Sequence, residues 1–559
     1  MSETLLPAKT TRNSPPGHDI FCTPENSDFI SKVPYTSLST TQREIRLLKV
    51  LPDSGSGFVE CELLPSIKLA NVHKQYLALS YCAGSPKTTE IIMVNGARCN
   101  VFANLHHALT EARHYWQKQD EQRDFLLWVD QICINQFDLA ERSHQVGFMR
   151  DIYSNAEKTL ICLSTSEAHG EEMKWLIDLR DHLAQRDLGK SELEMFLILV
   201  DIWIKGEHIK NFAAFCVIAA SPWWCRAWVF QEFMVSAQTI FLYGGYPALY
   251  SDIMDLIAGL WRVIKAFRSD YRFKRYCLES QHCEYLSHDQ VYTFASQMDR
   301  FRLAKLNQSR TMDLKSLLLL TKDSQASDVR DKLYSLLGLA RPGYGIMPDY
   351  CTKTDIHNLL IETTKKIILF DDSLAVLSFQ DRSSQLTSET RGFLPSWVLD
   401  WTDGANLGYI NSSTTGADEI IGTKCWWNYN LMRISPAVSF LQVPHPEDPE
   451  VQTTILQVWA VRLDYDFQRI ADSSNHLVGT RNYKVDLMNP DMAESDCELW
   501  LIRGADEPVL LSKYSYGYRV LRPIIHVEIY KTLSRIPGIL NDIGEIDVRK
   551  MEEIRITLF

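Results

Sequence analysis

The stretch FLLWVDQICINQFDLAERSHQVGFMRDIYSNAEKTLICL, residues 125–163, decides the fold. It opens with five apolar residues, 125–129, and closes with a second short apolar run, TLICL at 159–163. Each run is typical of a buried strand. Between them, five apolar positions follow helical spacing: Leu139, Val146, Met149, Ile152 and Tyr153. Strand, helix and strand in this order predict an α/β fold with a parallel sheet and crossover helices.

The residues before this stretch extend the same pattern. REIRLLKVLP (43–52) and FVECELL (58–64) flank a Gly/Ser turn and predict a β-hairpin. YLALSY (76–81) and EIIMV (90–94) predict two further strands, the second followed by an Asn-Gly turn. Helical spacing then predicts a helix from six residues: Leu105, Ala108, Leu109, Ala112, Tyr115 and Trp116.

Changes in composition predict four segments. Residues 1–42 are rich in Ser, Thr and Pro and read as a loosely ordered leader, and residues 43–245 form the α/β domain. Residues 246–390 are a helical region, and 391–559 form a β-rich C-terminal lobe, as TILQVWAVRL (454–463) indicates. Trp397 and Trp401 are expected to be packing anchors.

Composition excludes several classes of protein. The formal net charge is −12, which disfavours binding to phosphate backbones and so to nucleic acid. The 13 cysteines include no CxxC pair, which argues against a disulfide framework and a zinc site. Adjacent His106 and His107 diverge on a helix, so no metal is expected. Neither a secretory signal nor a membrane span is predicted, which favours the cytoplasm.

Polar residues follow the strand at 125–129. Asp130 stands at its carboxyl end, where parallel sheets gather their functional groups, and Asn135 follows closely enough to converge on the same place. Asp130 is therefore either a ligand contact or a carboxylate that caps the next turn. Cys133 has no adjacent base in sequence, and packing as a small buried residue is the better interpretation.

A carboxylate among aromatic residues marks a second candidate. Glu232 lies in the helix-like run WWCRAWVFQEFMV (223–235), near Trp228. Burial among aromatics raises the proton affinity of a carboxylate and suits it to acid/base work. Arg226 could clamp a phosphate or carboxylate. The alternative is a simple ion pair between Arg226 and Glu232.

Several blocks together resemble fungal heterokaryon incompatibility (HET) domain proteins. The blocks are YLALSYCAG (76–84), LWVDQICINQFDLAERSHQVGFMRDIYSNAEKTLICL (127–163) and SPWWCRAWVFQEFMVS (221–236). Text that recurs in this family continues in SDVRDKLYSLLGLA (327–340), PDYCTKT (348–354), LPSWVLDW (394–401) and VLRP (520–523). The resemblance implies a cytosolic protein of programmed cell death and fungal innate immunity. One position departs from the family pattern, since Ala83 stands where Trp is usual.

The HET domain in turn resembles the TIR domain, whose Trp-Cys-containing helix ends in a glutamate that acts in NAD cleavage. Here the matching residues are Trp224, Cys225 and Glu232. The resemblance implies that Glu232 stabilises an oxocarbenium-like state. It also implies that two strand-end loops hold the dinucleotide, through Ser80, Tyr81, Gly84 and Asp130. NAD would be a substrate, and no resident cofactor is expected.

Two other functions remain open. In one, the protein is a non-enzymatic, self-associating signalling module in which Asp130, Arg226 and Glu232 form internal ion pairs. In the other, it is a HET-like protein recruited to a biosynthetic step on a small metabolite. No P-loop follows residue 340, so regulation is expected to need a protein partner.

Overall fold

The computed structural model describes most of the chain in two compact units. The described residues are 26–33, 35–85, 87–119, 122–166, 170–189, 191–206, 208–267, 269–279, 301, 305, 312–351, 355–379, 394–402, 435–465, 468–469, 476–478, 483–486, 497–505, 509–522, 526–529 and 553–559. The first unit comprises residues up to 311 with 323–339 and 347–352. The second comprises 312–322, 340–346 and 353–559. The chain thus passes between the units five times within residues 311–353.

A nine-stranded sheet organises the first unit. Its strands are β2 (Leu48–Val50), β3 (Glu60–Leu63), β5 (Leu77–Ser80), β6 (Thr89–Val94), β7 (Ala97–Phe102), β8 (Leu126–Trp128), β9 (Thr159–Cys162), β10 (Thr239–Tyr243) and β11 (Tyr246–Leu249). Their order is β11-β10-β9-β5-β8-β2-β3-β6-β7. A separate pair joins β1 (Glu44–Ile45) to β4 (Ile67–Lys68).

The sheet is mixed, which corrects the purely parallel sheet that the sequence predicts. Strands β8, β5, β9 and β10 are parallel. The predicted hairpin of β2 and β3 is present, and β2 then pairs antiparallel with β8. The central parallel strands are almost fully buried, as parallel strands covered on both faces must be.

A second hairpin was missed in the sequence. β6 and β7 pair antiparallel across Asn95 and Gly96, and both turn residues have positive φ, 49° and 75°. Such a two-residue turn matches the twist of its strands, and Asn-Gly is the preferred pair for it. The Asn-Gly turn is predicted from the sequence but β7 is not, although ARCNV (97–101) alternates apolar and polar residues as a half-buried strand does.

Helices surround the sheet of the first unit. They are α1 (Ser27–Lys32), α2 (Ala103–Gln117), α3 (Asp130–Cys133), α4 (Leu139–Gly147), α5 (Met149–Asn155), α6 (Glu171–Gln185), α7 (Glu192–Lys205), α8 (Ile209–Ala219), α9 (Ala227–Val235), α10 (Tyr250–Phe267), α11 (Tyr271–Glu279) and α13 (Asp331–Leu337). The predicted helix over 139–153 is two helices, since Phe148 between α4 and α5 leaves helical geometry at φ −126°, ψ 21°.

Part of the predicted leader packs on this unit. Residues 1–25 lie outside the described residues, whereas α1 buries Phe29 completely. Asn26 donates to the Asn100 carbonyl at 2.8 Å and accepts from the Asn100 N–H at 2.7 Å. This pair of hydrogen bonds joins the start of α1 to β7 and satisfies the N–H and carbonyl of Asn100, as pairing with a neighbouring strand would.

The second unit contains helices and two antiparallel-rich sheets. Its helices are α12 (Leu314–Leu320) and α14 (Ile356–Asp371). Six strands form one sheet: β12 (Ser439–Pro444), β13 (Gln452–Tyr465), β17 (Cys497–Ile502), β18 (Val509–Tyr514), β19 (Gly517–Arg522) and β21 (Ile554–Leu558). Four more form the other: β14 (Gln468–Arg469), β15 (His476–Val478), β16 (Tyr483–Asp486) and β20 (His526–Ile529).

The six-stranded sheet closes on itself. The long strand β13 pairs with both β17 and β21, and β21 also meets β19. Five of the described strands therefore form a closed ring in the order β13-β17-β18-β19-β21, and each of them pairs with a neighbour on both sides. Trp397 is fully buried and donates to the Thr454 carbonyl at 3.1 Å, so the expected packing role of this tryptophan fits its place. Among the helices of the described residues, none is long and apolar enough to span a membrane.

Candidate functional site

The parallel strands diverge at the carboxyl ends of β5 and β9. From β5 the chain crosses to β8 on one side, whereas from β9 it crosses to β10 on the other. Because crossover connections are right-handed, their helices lie on opposite faces of the sheet. When the connections of two neighbouring parallel strands run to opposite faces of the sheet, a crevice forms at the carboxyl ends of the strands. This is where α/β sheets bind ligands. Ser80 and Cys162 end these two strands.

Ser80 and Glu232 meet at this edge. The Ser80 hydroxyl donates to Oε2 of Glu232, and the indole N–H of Trp223 donates to the Ser80 Oγ at 2.8 Å. Ser80 and Glu232 are each 1% exposed. A residue at the end of β5 and one on α9, 152 positions apart in sequence, thus share a buried hydrogen bond.

Glu232 holds its proton more tightly than an ordinary glutamate. Burial raises the pKa of Glu232 to about 7, although the charge of Arg226 and the Ser80 bond act in the opposite direction. Asp130 adds a smaller raising effect, and a hydrogen bond from Tyr153 lowers the pKa. The carboxyl group therefore changes its charge near neutral pH, as acid/base groups in catalytic sites do.

Arg226 lies beside this carboxyl group, half-buried at the start of α9. Its guanidinium donates to the Tyr81 carbonyl and lies 5.9 Å from the centre of the Tyr81 ring. Burial disfavours the charge of Arg226, but Glu232 and Asp130 outweigh it and raise the pKa of Arg226. The cation is held in place by a carbonyl, a ring and two carboxyl groups.

Asp130 completes the group through Tyr81. The Tyr81 hydroxyl donates to Asp130 Oδ1 at 3.3 Å, and the Gln131 N–H donates to the same oxygen at 2.7 Å. One carboxylate oxygen thus accepts a backbone N–H of the following residue, which is part of what the capping interpretation of Asp130 expects, although Asp130 does not cap α3. Asp130 is half-buried, so its side chain is not fully enclosed.

Three other candidates lie in different surroundings. The Asn135 N–H donates to Glu141 Oε1 at 2.7 Å, and Glu141 is paired with the buried Arg46, also at 2.7 Å. Gly84 is exposed and has φ +77°; a Cβ there would lie 2.5 Å from Asn104 Nδ2. Trp228 bonds to Asp331. The structure therefore gathers Ser80, Tyr81, Asp130, Arg226 and Glu232, and gives Asn135, Gly84 and Trp228 other neighbours.

Trp223 escaped sequence analysis as a bonding partner of the site, and Tyr153 joins the group from helix α5. Trp223, rather than the neighbouring Trp224, reaches Ser80, while the Trp224 indole donates to the Ile218 carbonyl at 3.1 Å. Tyr153 donates to the Leu79 carbonyl at 3.2 Å and also bonds to Glu232. A Trp-Trp pair in sequence signals burial but does not tell which indole faces the sheet.

Aromatic rings and one lysine hold α9 in place. The Phe301 ring contacts four rings on or beside this helix, those of Trp223, Trp224, Phe230 and Phe233. The Lys305 ammonium donates to the carbonyls of Phe233, Met234 and Ser236 at 2.9–3.2 Å. These carbonyls lie at the end of α9, where a helix leaves acceptors without partners.

Cysteine and histidine form no metal-binding cluster in the described part of the chain. Burial raises the pKa of the Cys133 thiol to about 12, so Cys133 is a packing residue at neutral pH. His107 Nε2 lies 2.7 Å from the Ser164 hydroxyl. Among the described residues, no cluster of three or more His, Cys, Asp or Glu side chains could hold a metal ion.

Comparison with known proteins follows the same residues. Residues 76–232 match the family described as heterokaryon incompatibility protein (HET). The chain is 29% identical over 425 residues to heterokaryon incompatibility protein 6, OR allele, of Neurospora crassa. The alignment covers 65% of this chain and 58% of that relative, so the chain spans little more than half of the relative's length. No solved structure gives a significant match. The matched family region begins at Tyr76, before Ser80, and ends at Glu232.

Proposed function

We propose, since residues 76–232 of this chain match the heterokaryon incompatibility (HET) family, that the protein acts in heterokaryon incompatibility as a cell-death effector. The domain binds a nucleotide at the carboxyl edge of β5, β8 and β9, and cleaves it with NAD as the substrate. The support for a role in incompatibility is the family match and the Neurospora relative. The reaction rests on the site alone.

One observation carries the reaction: Glu232, with a pKa of about 7, lies at the edge where α/β sheets bind ligands. An ionised Glu232 would stabilise positive charge on the ribose as the bond to nicotinamide breaks. The bond electrons leave with nicotinamide, which departs as a neutral molecule. Water then attacks the ribose and loses a proton, and the products are nicotinamide and ADP-ribose.

Arg226 and Asp130 have supporting roles in this proposal. The Arg226 guanidinium is half-buried and beside Glu232, so its planar fork could accept a phosphate of the dinucleotide. Asp130, also half-buried, would contact a ribose hydroxyl. The proposal places the effector in the cytoplasm, with a protein regulator and clustering of several copies as the trigger.

The test is to incubate purified protein at high concentration with NAD and follow nicotinamide release. Glu232→Gln is the matched variant, because it keeps the size of the side chain and its ability to accept from Ser80. Release by the wild-type protein that is lost in this variant supports the enzyme. Absence of release, even when the protein is forced to cluster, would reject it.

A second candidate is a non-enzymatic module that self-associates. The observation that favours it is the burial of Glu232, 1% exposed, together with its bonds to Ser80 and Tyr153. Mutually satisfied buried charges of this kind serve structure as readily as catalysis. This candidate expects the wild-type protein to cluster and to trigger cell death without cleaving NAD, and expects Glu232→Gln to weaken cell death only as far as it lowers stability. A cell-death assay of both proteins, read beside their thermal melting, therefore separates the two candidates.

A further inference from the structure

Two segments beyond the matched family region contact helices beside the site. Residues 323–339 contact α9, which carries Glu232, and Tyr350 contacts α4. The segments contain SDVRDKLYSLLGL (327–339) and PDY (348–350) of the recurring text, which the proposed reaction leaves without a role. Both segments belong to the first unit. Contacts of three kinds join them to α9 and α4.

The first contact is a backbone bridge at the start of α9. The Ala227 N–H donates to the Gln325 carbonyl at 2.9 Å, and the Gln325 N–H donates to the Cys225 carbonyl at 2.6 Å. Arg226 lies between these two bonds, in extended geometry at φ −72°, ψ 141°. The first residues of a helix have N–H groups without acceptors inside the helix. The Gln325 carbonyl is the acceptor for one of them, the N–H of Ala227. The bridge thereby fixes the backbone from which the Arg226 side chain extends.

The second contact is a close approach of helices. A Cβ added to Gly338 would collide with Oε1 of Gln231 and would lie 2.8 Å from Cβ of Arg150. Only glycine leaves room for Gln231, the neighbour of Glu232, at this point. The segment after α13 therefore contacts α9 on the turn that bears the candidate catalytic residue.

The third contact is a buried polar cluster around Asp331. Its carboxylate accepts from the Tyr350 hydroxyl, bonds to Trp228 of α9 and lies 3.9 Å from Arg142 Nη2 of α4. The centre of the Tyr350 ring is close to two guanidinium groups, 3.8 Å from that of Arg142 and 5.1 Å from that of Arg330.

The same cluster reaches the helix that follows Asp130. The Tyr350 N–H donates to the Ser143 hydroxyl at 2.9 Å, and Ser143 lies on α4 beside Arg142. Asp331 and Tyr350 therefore join α4, downstream of Asp130, to α9, which carries Arg226 and Glu232. Relative movement of these two helices would separate the charges of the site.

We propose that Asp331 is a positioning residue for the Glu232 site, acting through Trp228 and Arg142. The functional unit then extends to residue 352, beyond the matched family region. This inference rests on the proposed function only for its activity measurement, because the placement of Glu232 can be measured without any substrate.

The first test is a pH titration of the full chain by infrared spectroscopy. The signal is the carboxylic acid band that disappears when Glu232→Gln is introduced into the same background. Burial is the largest cause of the raised pKa of Glu232. Asp331→Ala should therefore admit water and lower the titration midpoint by about one unit or more. Tyr350→Phe keeps the ring beside the guanidinium groups and removes only the hydroxyl, so a smaller shift is expected.

Asp270→Asn is the matched control. Asp270 also accepts from a tryptophan, Trp203, at 3.1 Å and pairs with Arg272 at 2.7 Å, but it joins α7 to α11 instead. It should leave the midpoint unchanged. Equal midpoints in Asp331→Ala and wild type would overturn the proposal, as would an equal shift in Asp270→Asn.

Activity gives the second readout. If the wild-type protein cleaves NAD, Asp331→Asn should lower kcat about tenfold or more, because it displaces the reacting group. KM should rise as well, since Arg226, the proposed phosphate contact, lies at the start of the same helix. An unchanged kcat in Asp331→Asn would count against a positioning role. If the wild-type protein releases no nicotinamide, the proposed reaction fails, and the titration still decides the role of Asp331.

Discussion

Glu232 links the folding of this protein to pH. The pKa of its carboxyl group is about 7 in the folded chain, against an ordinary value of 4.5, because the group is buried. Between these values the folded state holds more protons than the unfolded state. The stability that comes from the protonated carboxyl is therefore fully present below pH 4.5 and is lost as pH rises through 7.

The size of this effect is testable. A shift of this size corresponds to about 3 kcal/mol between the two ends of the window. The interval from about pH 5 to about pH 8 covers most of this window. Between these two pH values, measured by urea unfolding, the free energy of unfolding of the wild-type protein should fall by about 2–3 kcal/mol more than that of Glu232→Gln. Equal losses in the two proteins would contradict a raised pKa for this residue.

Gly338 allows a second prediction at a single residue. Gly338→Ala places a methyl group against Gln231 and Arg150 and should reduce the free energy of unfolding by about 1–3 kcal/mol, as overpacking does. The control is Gly147→Ala at the end of α4, where the nearest atom to the added Cβ is 4.0 Å away. Thermal melting of both variants checks this: the control should melt no lower than wild type.

At the residue scale, the sequence was enough to identify chemistry but not partners. Glu232, Arg226 and Asp130 were identified as residue types that suit a site, and they do converge. The hydrogen bond between Ser80 and Glu232 could not be predicted from the sequence, because the two residues are 152 positions apart. The partner of Trp228 could not be predicted either. Trp228 lies one helical turn before Glu232, but its bond is to Asp331, a residue of a distant segment.

Helix α9 depends on groups that its own sequence does not supply. Within the described residues no side chain caps its start, where Gln325 bonds instead, and Lys305 binds the carbonyls at its end. Burial lowers the pKa of Lys305 to about 8, and the three carbonyls replace the water that the ammonium has lost.

Removal of this lysine should therefore loosen the helix. Lys305→Met should cost about 1–3 kcal/mol of stability, as the loss of hydrogen bonds from a charged donor does, and should speed amide hydrogen exchange in 227–236. Lys205→Met is the control, because Lys205 pairs with Asp201 on the exposed surface of α7, away from these carbonyls. Unchanged exchange in 227–236 for Lys305→Met would refute the capping role.

Elements with strong periodicity were predicted well, and those set by local geometry were not. Helix α2 buries the apolar residues that its spacing marks, such as Leu105 and Leu109. The break at Phe148 has no such signal, because it depends on backbone geometry at one position. Strand β7 does alternate apolar and polar residues, but over a short run next to the Asn-Gly turn. The mixed sheet was also missed, since the direction in which β2 joins β8 depends on a contact between distant segments.

The first unit should need residues as far as 352 for a stable fold. A chain ending at 352 keeps the Asp331 cluster and the Gln325 bridge, whereas one ending at 322 lacks both. We expect a single cooperative unfolding transition for the longer chain. The shorter one should show weaker cooperativity and rapid amide exchange in α9. Similar transitions for the two chains would show that the matched family region is complete without this segment.

The five passages of the chain between the two units, all within residues 311–353, also bear on inheritance. A single genetic crossover inside this stretch would assemble each unit from the segments of two different parents. A breakpoint anywhere between Arg142 and Asp331 would also separate that buried pair. Because the segments of the two units alternate along the chain, no single breakpoint can exchange the units as intact blocks, and breakpoints inside this stretch should disturb both units where those outside it disturb one.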